Sequence, residues 1–209
     1  MSGYFITLEG IDGSGKTTQG GMLEKKLKSL GKQVIFTREP GGVKGAEEIR
    51  NLLVQGDPDR WSSVTETLLF FAARRHHLEN RILPALKSGA IVICDRFSDS
   101  TMVYQGGKNP DILSLIENLG ELAIGIEPNL TLIIDVDPNK SLNRGLKRET
   151  IENRFEMFGL KFQKEARLKY KYLANSAGRC HLINGNNTIA KTHQLIWKIV
   201  SNCLELSKL

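Results

Sequence analysis

Apolar and polar positions along the chain follow two rhythms that take turns from end to end. Short apolar runs at 4–8, 33–37, 90–94, 130–135 and 180–183, rich in β-branched residues, predict strands covered on both faces. Between them, apolar spacing of three and four predicts helices over 17–30, 46–54, 63–87, 111–125, 139–147, 156–176 and 189–206. Gly31 and Gly89 stand where left-handed C-caps would close two of these helices. In the long middle helix, Leu68, Ala72, Leu78, Ile82 and Leu86 fall near one stripe, which predicts a place in the core. Gly20 and Gly21 inside the first helix cost about 1 kcal/mol each relative to alanine and point to close packing. The alternation implies an α/β fold: one domain over 1–209, a doubly wound five-stranded parallel sheet, helices on both faces, and ligands at the carboxyl ends of the strands.

One junction carries chemistry of its own. Between the first strand and first helix lies Gly10-Ile11-Asp12-Gly13-Ser14-Gly15-Lys16-Thr17, which fits G-x-x-x-x-G-K-[ST] in the strand–loop–helix context of a P-loop. Its glycines let backbone N–H groups turn inward, and the helix N-terminus adds partial positive charge. Lys16 would reach the outer phosphates, and the Thr17 hydroxyl would join the shell of a magnesium ion. A second junction, after the third strand, reads Asp95-Arg96-Phe97. A carboxylate at such a tip holds the ion directly or through water, unless it caps the next helix. Arg96 can bridge the phosphates of two substrates, or form only a structural ion pair. Arg38 ends the second strand before Pro40-Gly41-Gly42. Phe70 and Arg74, four apart on the middle helix, share a face that could stack a planar base and donate to its carbonyl; spacing alone favours a core role for Phe70.

Composition narrows the picture modestly. Lys and Arg exceed Asp and Glu by 29 − 23 = 6, with no basic cluster of the kind that marks nucleic-acid binders. Cys94, Cys180 and Cys203 are too widely spaced for a zinc motif, and an odd number argues against a disulfide framework. Adjacent His76 and His77 read as surface or structural positions. The first apolar run is too short for a signal peptide or membrane span, so the expectation is a cytoplasmic protein with no membrane and no nucleic-acid partner.

The longer motifs resemble the thymidylate kinase family nearly end to end. The resemblance is carried by the loop through Gln19, Thr37–Gly42, Leu69–Arg74, Asp95–Phe97, Ser100–Gly106, Asn153–Glu156 and the helix bearing Arg167 and Tyr170. It implies phosphorylation of dTMP by ATP with Mg2+ as cofactor. It further implies that Phe70 stacks on thymine, that Arg74 bonds its O4, and that Ser100 and Gln105 lie at the base edge. Tyr104 would crowd the position of a ribose 2′-hydroxyl, and Asp12 would meet the 3′-hydroxyl or the magnesium-bound phosphates. Arg38 and Arg96 would hold the monophosphate. Residues 143–155 resemble a mobile lid; because Ser14 replaces a loop arginine, the lid would supply it, with Arg148 as finger and Arg144 over adenine. Two departures from the family pattern are Asn153 for the lid aspartate and Phe97 for a tyrosine. The family is commonly dimeric, which implies a homodimer, with the middle helix and 111–125 as candidate faces. Alternatives left open are a kinase for another nucleoside monophosphate and a nucleotide-hydrolysing switch, although no Asn-Lys-x-Asp guanine reader is present.

Overall fold

All five predicted strands form, each within a residue of its expected bounds: β1 (Tyr4–Glu9), β2 (Val34–Arg38), β3 (Ile91–Asp95), β4 (Leu130–Asp135) and β5 (Cys180–Asn184). The computed structural model describes residues 3–107, 109–145 and 158–206. The strands pair in parallel in the order β2-β3-β1-β4-β5. The sheet is apolar on both faces because both are covered. Ile6 and Leu8 of β1 and Ile91 and Ile93 of β3 pack with Leu23, Leu27 and Val200 on one side. Phe5, Val92 and Cys94 point the other way, onto Phe71, Leu78 and Ile82.

The helices are α1 (Lys16–Ser29), α2 (Lys44–Val54), α3 (Ser63–His77), α4 (Leu83–Lys87), α5 (Ser98–Tyr104), α6 (Pro110–Leu119), α7 (Pro138–Gly145), α8 (Gly159–Ser176) and α9 (Ile189–Cys203). Gly31 and Gly89 adopt φ of 74° and 85°, as their C-cap positions predict. Gly20 packs where a β-carbon would come within 2.5 Å of the Phe36 ring, whereas nothing approaches Gly21 within 4 Å, and no contact accounts for it.

The single helix expected over 63–87 is instead divided into α3, a π turn over Leu78–Ile82, and α4. The wider turn accommodates Pro84, which lacks an N–H and would crowd a regular preceding turn. An extra residue in a turn also rotates the helix face by about 100°. Consequently the expected core stripe does not hold along its length: Leu78, Ile82 and Leu86 are buried, but Leu68 is 47% exposed and Ala72 is exposed. In α3 the inward face carries Glu66, Thr67, Phe71, Ala73, Arg74 and His77. A half-polar buried face signals a site rather than a core. The segment predicted as 111–125 ends likewise in a π turn, Gly120–Ile124. Helix α5 lacks an apolar rhythm and was not expected; its inward side chains include Asp99, Ser100 and Thr101. Of the lid expected over 143–155, positions 146–155, with Arg148 and Asn153, lie outside the described residues. Among the described residues, no helix is long and apolar enough to cross a membrane.

Candidate active site

The strand tips of β1 and β3 lie side by side, with Leu8 in register with Asp95, and both loops open into one cleft of about 340 Å3. On the β1 side the chain turns into α1 through Gly13 at φ 73° and Gly15 at φ 98°. Gly13 could carry no side chain, since a β-carbon would collide with the Ser141 carbonyl. The Ser141 hydroxyl in turn donates to the Asp12 carbonyl oxygen, tying α7 to the loop. Lys16 Nζ donates to the carbonyl oxygens of Gly10 (3.0 Å) and Ile11 (2.9 Å). Burial and then Arg96 pull its pKa down to about 8, against Asp95, Asp12 and Glu9, which raise it. A phosphate in the loop would restore its full charge.

Across the sheet, the Thr17 hydroxyl donates to Asp95 Oδ2 at 2.6 Å. The two residues expected to face a metal are thus adjacent, and they present the hard oxygen donors that magnesium takes. The residue after Asp95, Arg96, has φ 73°, an uncommon left-handed conformation for a residue other than glycine. Its Nη2 lies 2.5 Å from Asp12 Oδ1, and its Nη1 donates to Ser100 Oγ at 2.9 Å. Tyr104 donates to Asp12 Oδ2 at 3.1 Å. Although burial raises the Asp12 pKa, the charges of Arg96 and Lys16 outweigh it and hold the carboxyl below its ordinary value.

The far end of the cleft is built on α3. Phe70 is half-buried and lines the cleft, so it does not join the core that its spacing favoured. Arg74, only 2% exposed, donates through Nε to Glu39 Oε2 (2.6 Å) and through Nη2 to Thr101 Oγ1 (3.0 Å). Its Nη1 is buried with no hydrogen-bond partner, an uncommon loss that a ligand carbonyl would repair. Glu39 Oε1 faces His77 Nδ1 at 3.1 Å, and His77 Nε2 faces the Thr37 hydroxyl at 2.7 Å. His77 is therefore structural, as expected of one reading of the His pair, and fully buried. Gln105 donates to Glu66 Oε1 at 2.8 Å. Arg38, half-exposed, pairs with Glu47 at 3.1 Å on the rim.

The cleft wall brings together Asp12, Gly13, Gly15, Lys16, Thr17, Arg38, Phe70, Arg74, Asp95, Arg96, Ser100, Tyr104 and Gln105. Of the predicted loop residues, Gly10, Ile11 and Ser14 stand behind the wall rather than on it: the first two turn carbonyls to Lys16, and Ser14 is buried. Arg144 falls on α7; Arg148 lies outside the described residues. Sequence reasoning missed Glu39, Arg50 and Thr101 on the wall, and Glu9 behind it. A charge closing an apolar run could have flagged Glu9. Arg50 looks like any arginine on an amphipathic helix, although its Nη1 donates to the Pro40 carbonyl at 2.7 Å.

A phosphate cradle at one end of a cleft and an aromatic face with a spare guanidinium N–H at the other suit two nucleotides held end to end. That arrangement places the chain among the P-loop nucleotide kinases. The thymidylate kinase family model matches residues 8–196, and the chain belongs to the thymidylate kinase family. It is 52% identical over 200 residues to a thymidylate kinase of Jannaschia sp., covering 94% of this chain and 96% of that one. A thymidylate kinase of Ruegeria pomeroyi is 50% identical, with 95% of each chain covered. Among solved structures, the thymidylate kinase of Ehrlichia chaffeensis superposes with a TM-score of 0.75 at 38% identity, over 96% of this chain and 100% of that one.

Proposed function

We infer that this enzyme phosphorylates dTMP, giving dTDP and ADP from ATP. The observation that carries the reading is the unpartnered Nη1 of Arg74, buried beside Phe70 in the same cleft as Lys16. A pyrimidine lying on Phe70 would offer a ring carbonyl to that N–H, with its phosphate directed toward Arg96. The monophosphate oxygen attacks the γ-phosphorus in line; it is already anionic at neutral pH, so the site supplies alignment and charge rather than a strong base. Lys16 and Arg96 neutralise the transferring group from two sides, with Arg38 on the monophosphate and lid Arg148 completing the set. Arg144 covers adenine. Tyr104 fills the space that a 2′-hydroxyl would need, held there by its bond to Asp12. Ser100 and Gln105 line the base edge. Thr17 and Asp95 would hold the magnesium that accompanies ATP, and that ion would offset charge on the phosphates.

A homodimer is part of the same proposal. Val64 and Leu68 of α3 are each 47% exposed, an apolar strip on the side of the helix away from the cleft. Sedimentation of the purified protein checks it, and a monomer at micromolar concentration refutes it. A cytoplasmic location suits three cysteines that stand as free thiols.

The test of activity is a coupled ADP-release assay with ATP, magnesium and each nucleoside monophosphate in turn. dTMP should give the highest kcat/KM. The 5-methyl group contributes about 1–3 kcal/mol through an apolar contact, so dUMP should follow at a roughly 10- to 200-fold deficit. A clear preference for dUMP or for a purine monophosphate would overturn the reading.

A further inference from the structure

Glu9 closes β1 immediately before the phosphate loop, fully buried and absent from the cleft wall. Its contacts converge on one neighbour. Oε1 accepts the Phe97 backbone N–H at 2.7 Å, the first peptide after the left-handed Arg96. Oε2 accepts the Ser100 hydroxyl at 2.6 Å and the Tyr170 hydroxyl at 3.0 Å. Both hydroxyl oxygens also accept from Arg96 Nη1, at 2.9 and 3.3 Å. Glu9 therefore grips the backbone just beyond an uncommon φ and orients two acceptors that fix the guanidinium above it. Holding a residue in a sparsely populated conformation requires its surroundings to over-determine it, and here one carboxylate does much of that. We propose that Glu9 is the positioning residue for Arg96, setting the phosphate-facing guanidinium through Phe97, Ser100 and Tyr170 without touching substrate. The proposal rests on the functional reading above, in that Arg96 is taken to face the dTMP phosphate.

The groups facing Glu9 are Arg96 from the β3 tip, Asp99 from α5, Tyr170 from α8 and Lys16 from the start of α1, with Cys94 and Cys180 from β3 and β5 behind. Burial and then Asp99 push its pKa up to about 7, while Arg96 and the hydrogen bonds oppose them. Glu9→Gln mimics the protonated form at nearly constant shape. Wild type, Glu9→Gln and Tyr170→Phe should be compared by steady-state kinetics from pH 6 to 8.5, by calorimetric titration with dTMP, and by thermal unfolding. At pH 8, kcat/KM for dTMP should fall at least tenfold in Glu9→Gln and severalfold in Tyr170→Phe. KM for ATP should stay within twofold, a split that general loosening would not give. The ratio of wild type to Glu9→Gln should shrink toward one as pH falls through 7; protonation of dTMP itself cancels in that ratio. Equal dTMP parameters for wild type and Glu9→Gln at pH 8, or KM for ATP rising in parallel, would overturn the inference. A wild type that binds dTMP but does not turn it over would sink the functional reading alone, because calorimetry still compares the variants.

Discussion

The Glu39–Arg74 pair gives the sharpest stability prediction, since both side chains are almost wholly out of water, at 3% and 2% exposure, and meet at 2.6 Å. At that depth each charge depends on the other. Two unit charges about 4 Å apart attract by roughly 4 kcal/mol at an effective dielectric constant of 20. Removing one partner of a buried pair leaves the other uncompensated and costs about 3–5 kcal/mol, a large share of a typical total of roughly 5–15. Arg74→Met should fall in that range, because it strands Glu39 with only His77 for company. Glu39→Gln keeps an amide for hydrogen bonding but strands the guanidinium, and should cost about 2–4 kcal/mol on the same reasoning. The double variant removes both charges, so it should be less destabilised than the sum of the singles by at least about 2 kcal/mol. Urea unfolding of the four proteins without nucleotide measures each value. Additivity within about 0.5 kcal/mol would show that the charges do not depend on one another, and the account of this end of the cleft would fail.

Further outcomes follow from single contacts. Gly20→Ala would press a methyl group against Phe36 and Leu8, a strain of about 1–3 kcal/mol, whereas Gly21→Ala meets nothing and should stabilise α1 by about 1 kcal/mol. Thermal unfolding separates them, and equal shifts would contradict the packing of α1 on β2. Asp95→Asn should raise the magnesium concentration needed for half-maximal turnover; an unchanged titration would place the ion's second protein partner elsewhere. Arg148→Ala should lower kcat by about three orders of magnitude while dTMP affinity holds, and losses of equal size in both would locate the finger at another residue.

Much of this was legible in the sequence because the signals were local. A glycine loop between a strand and a helix has few other uses, and five apolar runs with helical spacers define a parallel sheet without reference to distant residues. Phe70 and Arg74 could be paired by spacing, but their partners could not. Glu39 reaches Arg74 from a strand tip 35 positions earlier, and His77 meets the other oxygen of the same carboxylate only because α3 turns a half-polar face inward. The core stripe drawn through Leu68 failed for a related reason. A π turn before Pro84 changes the helix phase, and constant-period counting cannot register an extra residue in a turn. Glu9 was visible as a charge ending an apolar run, yet its part in fixing Arg96 depends on Ser100 and Tyr170, 91 and 161 positions away.

If one cleft holds a pyrimidine deoxynucleotide and ATP closely enough for direct transfer, the γ-phosphoryl group passes from one to the other without reaching water. The most direct measurement follows the label of γ-32P-ATP in the presence of magnesium and dTMP. The label should appear in dTDP, with release of inorganic phosphate negligible beside it and not raised when dTMP is left out. Label recovered mainly as inorganic phosphate, at a rate indifferent to dTMP, would contradict it.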